Sequence, residues 1–188
     1  MAASSNPIEI GSPAPDFALP DGVGHMHRLR DCAGSRGTLV IFMCNHCPYV
    51  LCMRDALQQY AVDYAERGIR VVGINPNDPV AYPDEAPERI AEVAKRLAFP
   101  YLVDGDQAVA KAYQAACTPD LYLYDGDLRL AYHGQFDDAR PKNAIIATGK
   151  DLREATDRLL AGLPPLAEQR ASIGCSVKWK PGNEPVIG

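Results

Sequence analysis

The expected fold is decided by the run Thr38-Leu39-Val40-Ile41-Phe42-Met43-Cys44-Asn45-His46-Cys47-Pro48. Its first six residues form a continuous apolar stretch with β-branched side chains, which predicts a strand buried on both faces of a parallel or mixed sheet. Pro48 suits the first turn of a helix, because the N–H that proline lacks would be unpaired there. The run therefore predicts a strand that passes into a helix, with Cys44 and Cys47 near the junction.

Outward from this run, strands and helices alternate along the chain. Gly68 is a natural end for the first helix, and Asp125-Gly126-Asp127-Leu128 is a hairpin turn signal. The other elements are predicted as a strand over 69–74, a helix over 88–97, a strand over 101–103, a helix over 106–113 and a last helix over 150–161. This order predicts an α/β fold with a mixed central sheet flanked by helices.

The length of 188 residues, nearly half of them apolar, fits one domain with a sizeable core. Residues 1–37 are rich in Gly, Pro and Asp and predict an irregular extension with a short hairpin. Residues 163–188 form a Pro/Gly-rich tail. We expect residues 1–162 to form the domain, including the N-terminal extension, and the tail to pack on it.

Charge and hydropathy indicate which binding partners and which cellular location to expect for the protein. The net charge is −5 and no block of Lys and Arg stands out, so neither nucleic acid nor a membrane is an expected partner. The longest apolar stretch, residues 38–44, is far shorter than the roughly 20 residues of a membrane-spanning helix. The N-terminus also lacks the basic start and apolar core of a secretory signal. We therefore expect a cytoplasmic protein.

Cys44 and Cys47 have the spacing of a redox-active dithiol. Residues three apart at the start of a helix lie on one face, close enough for an unstrained disulfide. The partial positive charge of the helix N-terminus favours a thiolate on Cys44. A cationic His46 between the two cysteines would lower the pKa of Cys44 further and make the disulfide a stronger oxidant.

A zinc-binding or non-enzymatic interaction module, with both cysteines as ligands, is the competing interpretation of the same pair. Zinc would need two more ligands from Cys117, Cys175 or a histidine, and the chain has no second Cys-x-x-Cys. The strand-to-helix context favours redox chemistry instead. No dinucleotide-binding fingerprint is present, so we expect no organic cofactor. Because the context favours redox chemistry over zinc, we also expect no metal.

Several motifs resemble the AhpC/TSA redoxin family, the thioredoxin-fold group that holds peroxiredoxins and thioredoxin-like oxidoreductases. They are the opening Gly11-Ser12-Pro13-Ala14-Pro15-Asp16-Phe17-Ala18-Leu19-Pro20, the site Cys44-Asn45-His46-Cys47-Pro48-Tyr49, the segment Cys117-Thr118-Pro119-Asp120 and the tail Gly174-Cys175-Ser176-Val177-Lys178-Trp179. In detail, these motifs resemble those of a peroxiredoxin-like group with a Cys-Asn-His-Cys-Pro site. The resemblance spans nearly the whole chain.

The resemblance implies a thioredoxin-like fold and a set of roles. Cys44 would be the attacking thiolate and Cys47 the resolving thiol. Pro119 would be cis and, with Thr118, would border the substrate groove. Tyr49 is expected to line the entrance to the site.

The chain also departs from the patterns of its relatives. Thioredoxins carry Trp where this chain has Met43, and a buried acid where it has Thr38, so proton transfer at Cys47 needs another group. Peroxiredoxins carry a Pro-x-x-x-Thr/Ser-x-x-Cys motif, and neither Cys44 nor Cys47 has the required hydroxyl three residues upstream. These departures favour disulfide exchange over peroxide reduction, and a thiol peroxidase remains the alternative.

Two further thiols are candidates for the same site. Cys117 precedes the proline that would face the dithiol, and it is either a second resolving thiol or a small buried apolar residue. Cys175 lies in the tail, which could fold over the dithiol or simply be anchored by Val177 and Trp179. The predicted function is thiol-disulfide exchange with a disulfide-containing protein or a small thiol substrate. An external thiol reductant, such as a thioredoxin system, would restore the dithiol.

Overall fold

The computed structural model describes residues 2–185. Its ten strands are β1 (Ala2–Ser4), β2 (Ala18–Pro20), β3 (Met26–Arg28), β4 (Gly37–Phe42), β5 (Ile69–Asn75), β6 (Tyr101–Val103), β7 (Cys117–Thr118), β8 (Asp120–Asp125), β9 (Leu130–His133) and β10 (Ile173–Ser176). Its five α-helices are α1 (Leu29–Cys32), α2 (Pro48–Ala65), α3 (Pro87–Ala94), α4 (Ala108–Ala112) and α5 (Lys150–Leu160), with a 3₁₀ turn at Pro83–Glu85.

The central sheet has five strands in the order β6-β5-β4-β8-β9. Strands β4, β5 and β6 run parallel, and β8 and β9 run antiparallel to their neighbours. Every residue of β4 is buried, because β4 is hydrogen-bonded on both edges and covered on both faces. The prediction of a strand buried on both faces in a mixed sheet is therefore confirmed.

Two apolar clusters cover the faces of this sheet. One packs α2, α3 and α5 on the face that includes Leu39 and Ile41. The other packs α1 and α4 on the face that includes Val40 and Phe42. This alternation follows from the period of two along a strand. Helices on both faces of a mixed sheet, with α2 following closely after β4, give the thioredoxin-like fold that the family resemblance implies.

The N-terminal extension and the tail are more ordered than their composition indicates. Strands β2 and β3 form the short hairpin expected in residues 1–37. The tail contributes β10, which lies between β1 and β7 in a separate three-stranded sheet. The sequence predicted no strand in the tail, because β10 gains its hydrogen bonds from strands more than fifty residues away. The division at residue 162 stays a prediction, and residues 186–188 of the tail lie outside the described residues.

Within residues 2–185, no helix combines the length and the apolar character needed to cross a membrane.

The core face of α2 supports a direct test of the packing. Leu57 is fully buried, whereas Leu51 on the same helix is 45% exposed. We expect Leu57→Ala to lower the free energy of unfolding by about 2–5 kcal/mol, since it leaves a cavity in a packed core. We expect the matched control Leu51→Ala to change it by about 0.5 kcal/mol or less. Urea denaturation followed by circular dichroism measures both, and equal losses would contradict the assignment of the buried face.

Candidate active site

The dithiol lies in the short connection between β4 and α2. The N–H of Met43 donates to the carbonyl of Ile74 (2.9 Å), which extends the sheet hydrogen bonding by one residue past β4. Cys47 caps α2, and its carbonyl accepts the first helical hydrogen bond from the N–H of Leu51 (2.9 Å). The helix N-terminus therefore lies at Cys47, and Cys44 is three residues before it. Pro48 occupies the first turn of the helix, as predicted, whereas Cys44 lies before the helix rather than on its first turn.

The segment before β8 faces the dithiol. The Thr118–Pro119 peptide bond is cis, as the family resemblance implied. Cys44 Sγ lies 3.2 Å from Thr118 Oγ1, and the Cys47 thiol donates to the Thr118 carbonyl at 3.1 Å. Thr118 thus contacts both sulfurs, one through its side chain and one through its backbone.

Tyr49 lies beside the same segment. It is half-buried and lines a small hollow with Pro119, Arg140 and Ile173. Tyr49 also packs against the apolar cluster that contains both cysteines of the dithiol. The structure therefore brings Tyr49 and Pro119 together next to the dithiol, and their role in binding a substrate stays a prediction.

A hydrogen bond between the two thiols of the dithiol shifts their pKa values in opposite directions. This contact lowers the pKa of Cys47, with further hydrogen bonds from the Cys175 thiol and the Val50 N–H. The same contact raises the pKa of Cys44, together with burial and the negative charge of Glu85. The first negative charge therefore settles on the Cys47 side, at the helix N-terminus, whereas the sequence analysis expected it on Cys44.

Glu85 is the functional candidate that the sequence analysis missed. Its side chain is fully buried, and its oxygens accept hydrogen bonds from the N–H groups of Asn45 and His46 and from the amide of Asn75. The donor from Asn75 is 2.6 Å away. Nothing in the local sequence points to Glu85, since it lies in a loop rich in Asn, Pro and Asp and meets the dithiol only through the fold.

His46 is held between Glu85 and Tyr82. Its Nδ1 is hydrogen-bonded to a Glu85 oxygen, and its ring stacks on Tyr82 with centroids 5.4 Å apart. The predicted lowering of the Cys44 pKa by His46 stays a prediction. The structure adds an effect of the opposite sign, because the buried Glu85 carboxylate raises that pKa.

One group of side chains in the described part of the chain could hold a metal ion. The ligand atoms of Cys44, His46 and Glu85 all lie within 4.8 Å of one another. Thiolate, imidazole and carboxylate are ordinary zinc ligands, and three of them leave one position of a tetrahedron open. This set differs from the one considered from the sequence, which paired Cys44 with Cys47.

The position of the buried acid of thioredoxins is occupied by Thr38, which has a structural contact. Its hydroxyl accepts a hydrogen bond from the Gly34 N–H (3.1 Å). Thr38 cannot exchange a proton with the dithiol at neutral pH. Glu85 supplies a carboxylate from the other side of the connection instead.

The two other thiols considered for the site, Cys117 and Cys175, differ in their surroundings. Cys175 packs against the apolar cluster that contains Cys44 and Cys47, and its thiol helps to lower the pKa of Cys47. Cys117 is fully buried, its Sγ lies 3.4 Å from the Pro119 carbonyl, and burial raises its pKa well above the usual range. Cys117 therefore has the surroundings of a small apolar residue. Trp179 packs against the second apolar cluster, which supports its predicted role as an anchor of the tail.

A cleft of about 630 Å³ opens beside the connection between the two cysteines. Asn45 and His46 form one wall, and charged side chains of both signs from α2 and α3 form the others. Neither sulfur lines this cleft, since Cys44 is 1% exposed and Cys47 is fully buried.

Known proteins share this architecture. A crystal structure of an uncharacterized conserved protein from Geobacillus kaustophilus is 46% identical, with a TM-score of 0.93, over 97% of this chain and 98% of that one. The crystal structure of peroxidoxin BcpB from Mycobacterium tuberculosis is 21% identical, with a TM-score of 0.56, over 82% of this chain and 95% of that one, and this likeness shows the fold alone.

A curated relative carries a functional name. Thiol-disulfide oxidoreductase ResA of Geobacillus kaustophilus (strain HTA426) is 30% identical over 120 residues, which are 63% of this chain. The match spans 64% of the length of that relative. The sequence profile described as the AhpC/TSA family matches residues 10–133. This match covers well over half of the chain and includes the dithiol and the cis-proline segment, and the protein is a member of the AhpC/TSA family.

Proposed function

We propose that this protein is a thiol-disulfide oxidoreductase whose dithiol is Cys44 and Cys47. The observation that carries the proposal is that the thiols of Cys44 and Cys47 both contact Thr118, next to a cis-proline. The resemblance to a relative named thiol-disulfide oxidoreductase supports the same reaction class.

The reaction proceeds by two exchanges. The Cys44 thiolate attacks one sulfur of a substrate disulfide, so that a mixed disulfide forms and the other substrate sulfur leaves as a thiolate. The Cys47 thiolate then attacks Cys44, which releases the second substrate sulfur and leaves the Cys44–Cys47 disulfide. The substrate, a protein or a small disulfide, gains two electrons. An external thiol reductant, such as a thioredoxin system, returns two electrons to the dithiol.

The geometry supplies two acceptors for the proton that leaves Cys44. One is the Cys47 thiolate, which is in hydrogen-bond contact with Cys44. The other is the Glu85 carboxylate, within 4.8 Å of the Cys44 sulfur. Thr38 supplies no acid to Cys47, whereas the loop before α3 brings the buried Glu85 carboxylate near Cys44.

Serine variants test the assignment of the dithiol. We expect Cys44→Ser and Cys47→Ser each to reduce disulfide reduction to background, because each removes one sulfur of the exchange. Cys52→Ser is the matched control: this exposed thiol on α2 contacts the Tyr49 carbonyl, and its loss should leave the rate unchanged. The assay follows reduction of a protein disulfide, with hydrogen peroxide consumption measured in parallel.

Other outcomes of this experiment would contradict the proposal. Robust peroxide turnover with negligible disulfide exchange would identify a thiol peroxidase instead, in which a sulfenic acid forms first. Stoichiometric zinc in protein purified without chelator, lost in both Cys44→Ser and Glu85→Gln, would identify the ligand set Cys44, His46 and Glu85 as a metal site.

The charge of Glu85 gives a prediction about pH. Because this carboxylate raises the pKa of Cys44, Glu85→Gln should lower that pKa and shift thiolate formation to lower pH. In a Cys47→Ser background, alkylation of Cys44 by iodoacetamide at pH 7 should become several-fold faster, since only the thiolate reacts. Mass spectrometry of the peptide that contains Cys44 measures the rate.

Glu92→Gln is the control for this effect, because Glu92 is an exposed carboxylate on α3 that pairs with Lys95. It should leave the pH midpoint of alkylation unchanged. A midpoint that stays in place or rises in Glu85→Gln, with an unaltered circular dichroism spectrum, would show that Glu85 does not act on Cys44 through its charge.

A further inference from the structure

The tail strand β10 brings Cys175 to the dithiol by its register. β10 pairs antiparallel with β7, and Cys175 lies opposite Thr118. Directly opposed residues of an antiparallel pair project to the same face. The Thr118 hydroxyl lies 3.2 Å from the Cys44 sulfur, so this is the face of the dithiol. Cys175 accordingly packs against the apolar cluster that contains Cys44 and Cys47, and a hydrogen bond from its thiol helps to lower the pKa of Cys47.

The approach of β10 to the cis-proline segment depends on a glycine. A Cβ added at Gly174 would lie 2.0 Å from the Thr118 carbonyl oxygen and 2.9 Å from the nitrogen of Pro119, distances that backbone atoms cannot accommodate. Only glycine lets the strand lie this close. The strand is also held at both ends, because the Ser5 N–H donates to the Ser172 carbonyl and the Val177 N–H to the Ala116 carbonyl.

The three contacting sulfurs differ in their access to solvent. Cys44 is 1% exposed and Cys47 is fully buried, whereas Cys175 is half-buried. An external thiol or disulfide therefore meets Cys175 more readily than either member of the dithiol. Cys47 lies in contact with both partners, so its sulfur can bond to either one.

We propose that Cys175 is a third redox thiol, and that Cys47 exchanges its disulfide partner between Cys44 and Cys175. In this step the Cys175 thiolate attacks Cys47, the Cys47–Cys175 bond forms and the Cys44–Cys47 bond breaks. The proton lost by Cys175 is balanced by the one gained by Cys44, and no oxidant or reductant is consumed. The proposal rests on the proposed function, because it starts from the Cys44–Cys47 disulfide.

The exchange moves the disulfide from a buried pair to a pair with an accessible sulfur. An external thiolate then attacks Cys175, the Cys47–Cys175 bond breaks, and Cys47 leaves as the thiolate beside the Val50 N–H. A second external thiol resolves the mixed disulfide at Cys175. The sum is two external thiols converted to one disulfide and the protein returned to the reduced state.

Disulfide mapping tests the proposal without any substrate. Trypsin places Cys44, Cys47 and Cys52 on peptide 37–54, Cys175 on peptide 171–178 and Cys117 on peptide 112–129. In Cys44→Ser, one equivalent of diamide should link peptide 37–54 to peptide 171–178, with fragmentation assigning the bond to Cys47. The link should vanish in Cys44→Ser/Cys175→Ser and persist in Cys44→Ser/Cys117→Ser, because Cys117 faces away from the dithiol.

A second measurement uses proteins that retain Cys44. We expect glutathione to reduce the oxidised Cys175→Ser protein about tenfold more slowly than the oxidised wild type, and the oxidised Cys117→Ser protein at the wild-type rate. Equal rates for all three, or no link between Cys47 and Cys175 after oxidation of Cys44→Ser, would overturn the proposal. If oxidised wild type instead lacks the Cys44–Cys47 disulfide, the proposed function itself fails.

Discussion

The antiparallel register between β4 and β8 is the constraint on which the rest of the site depends. Phe42 lies opposite Asp120, and continuing this register by two residues sets Cys44 opposite Thr118. Because β4 is buried on both faces, a slip by one residue would exchange the side chains that fit the two apolar clusters, with Leu39 and Ile41 replaced by Val40 and Phe42. The packing of the core and the position of the dithiol against the cis-proline segment are therefore specified together.

The register between β7 and β10 places the tail beside the same segment. β10 pairs with β7 as β8 pairs with β4, so that Cys44, Thr118 and Cys175 come to lie side by side although they are far apart in sequence. Thr118 contacts the dithiol through its hydroxyl and its carbonyl, while its strand, β7, pairs with β10 of the tail. The tail is thus part of the site, and Gly174 is the residue whose missing side chain makes room for it.

Two electrostatic effects of opposite sign act on the two thiols of the dithiol. The helix N-terminus favours negative charge at Cys47, while Glu85 disfavours it at Cys44. This difference favours the first negative charge on Cys47 over Cys44. The Glu85 carboxylate is held by backbone N–H groups of the same connection that carries the cysteines, so charge and backbone conformation are coupled there.

The sequence by itself determined the elements that depend on local patterns. The apolar run 38–43, the proline at position 48 and the turn at 125–128 predicted β4, α2 and the β8–β9 hairpin, because periodicity and turn chemistry act over a few residues. The redox role of Cys44 and Cys47 was predicted from their spacing. The cis-proline segment was predicted from the family resemblance. Long-range packing places Glu85 near Cys44 and Cys175 against the cluster that contains Cys47. These contacts join residues separated by tens of positions, through strand registers and loop paths that no local pattern encodes.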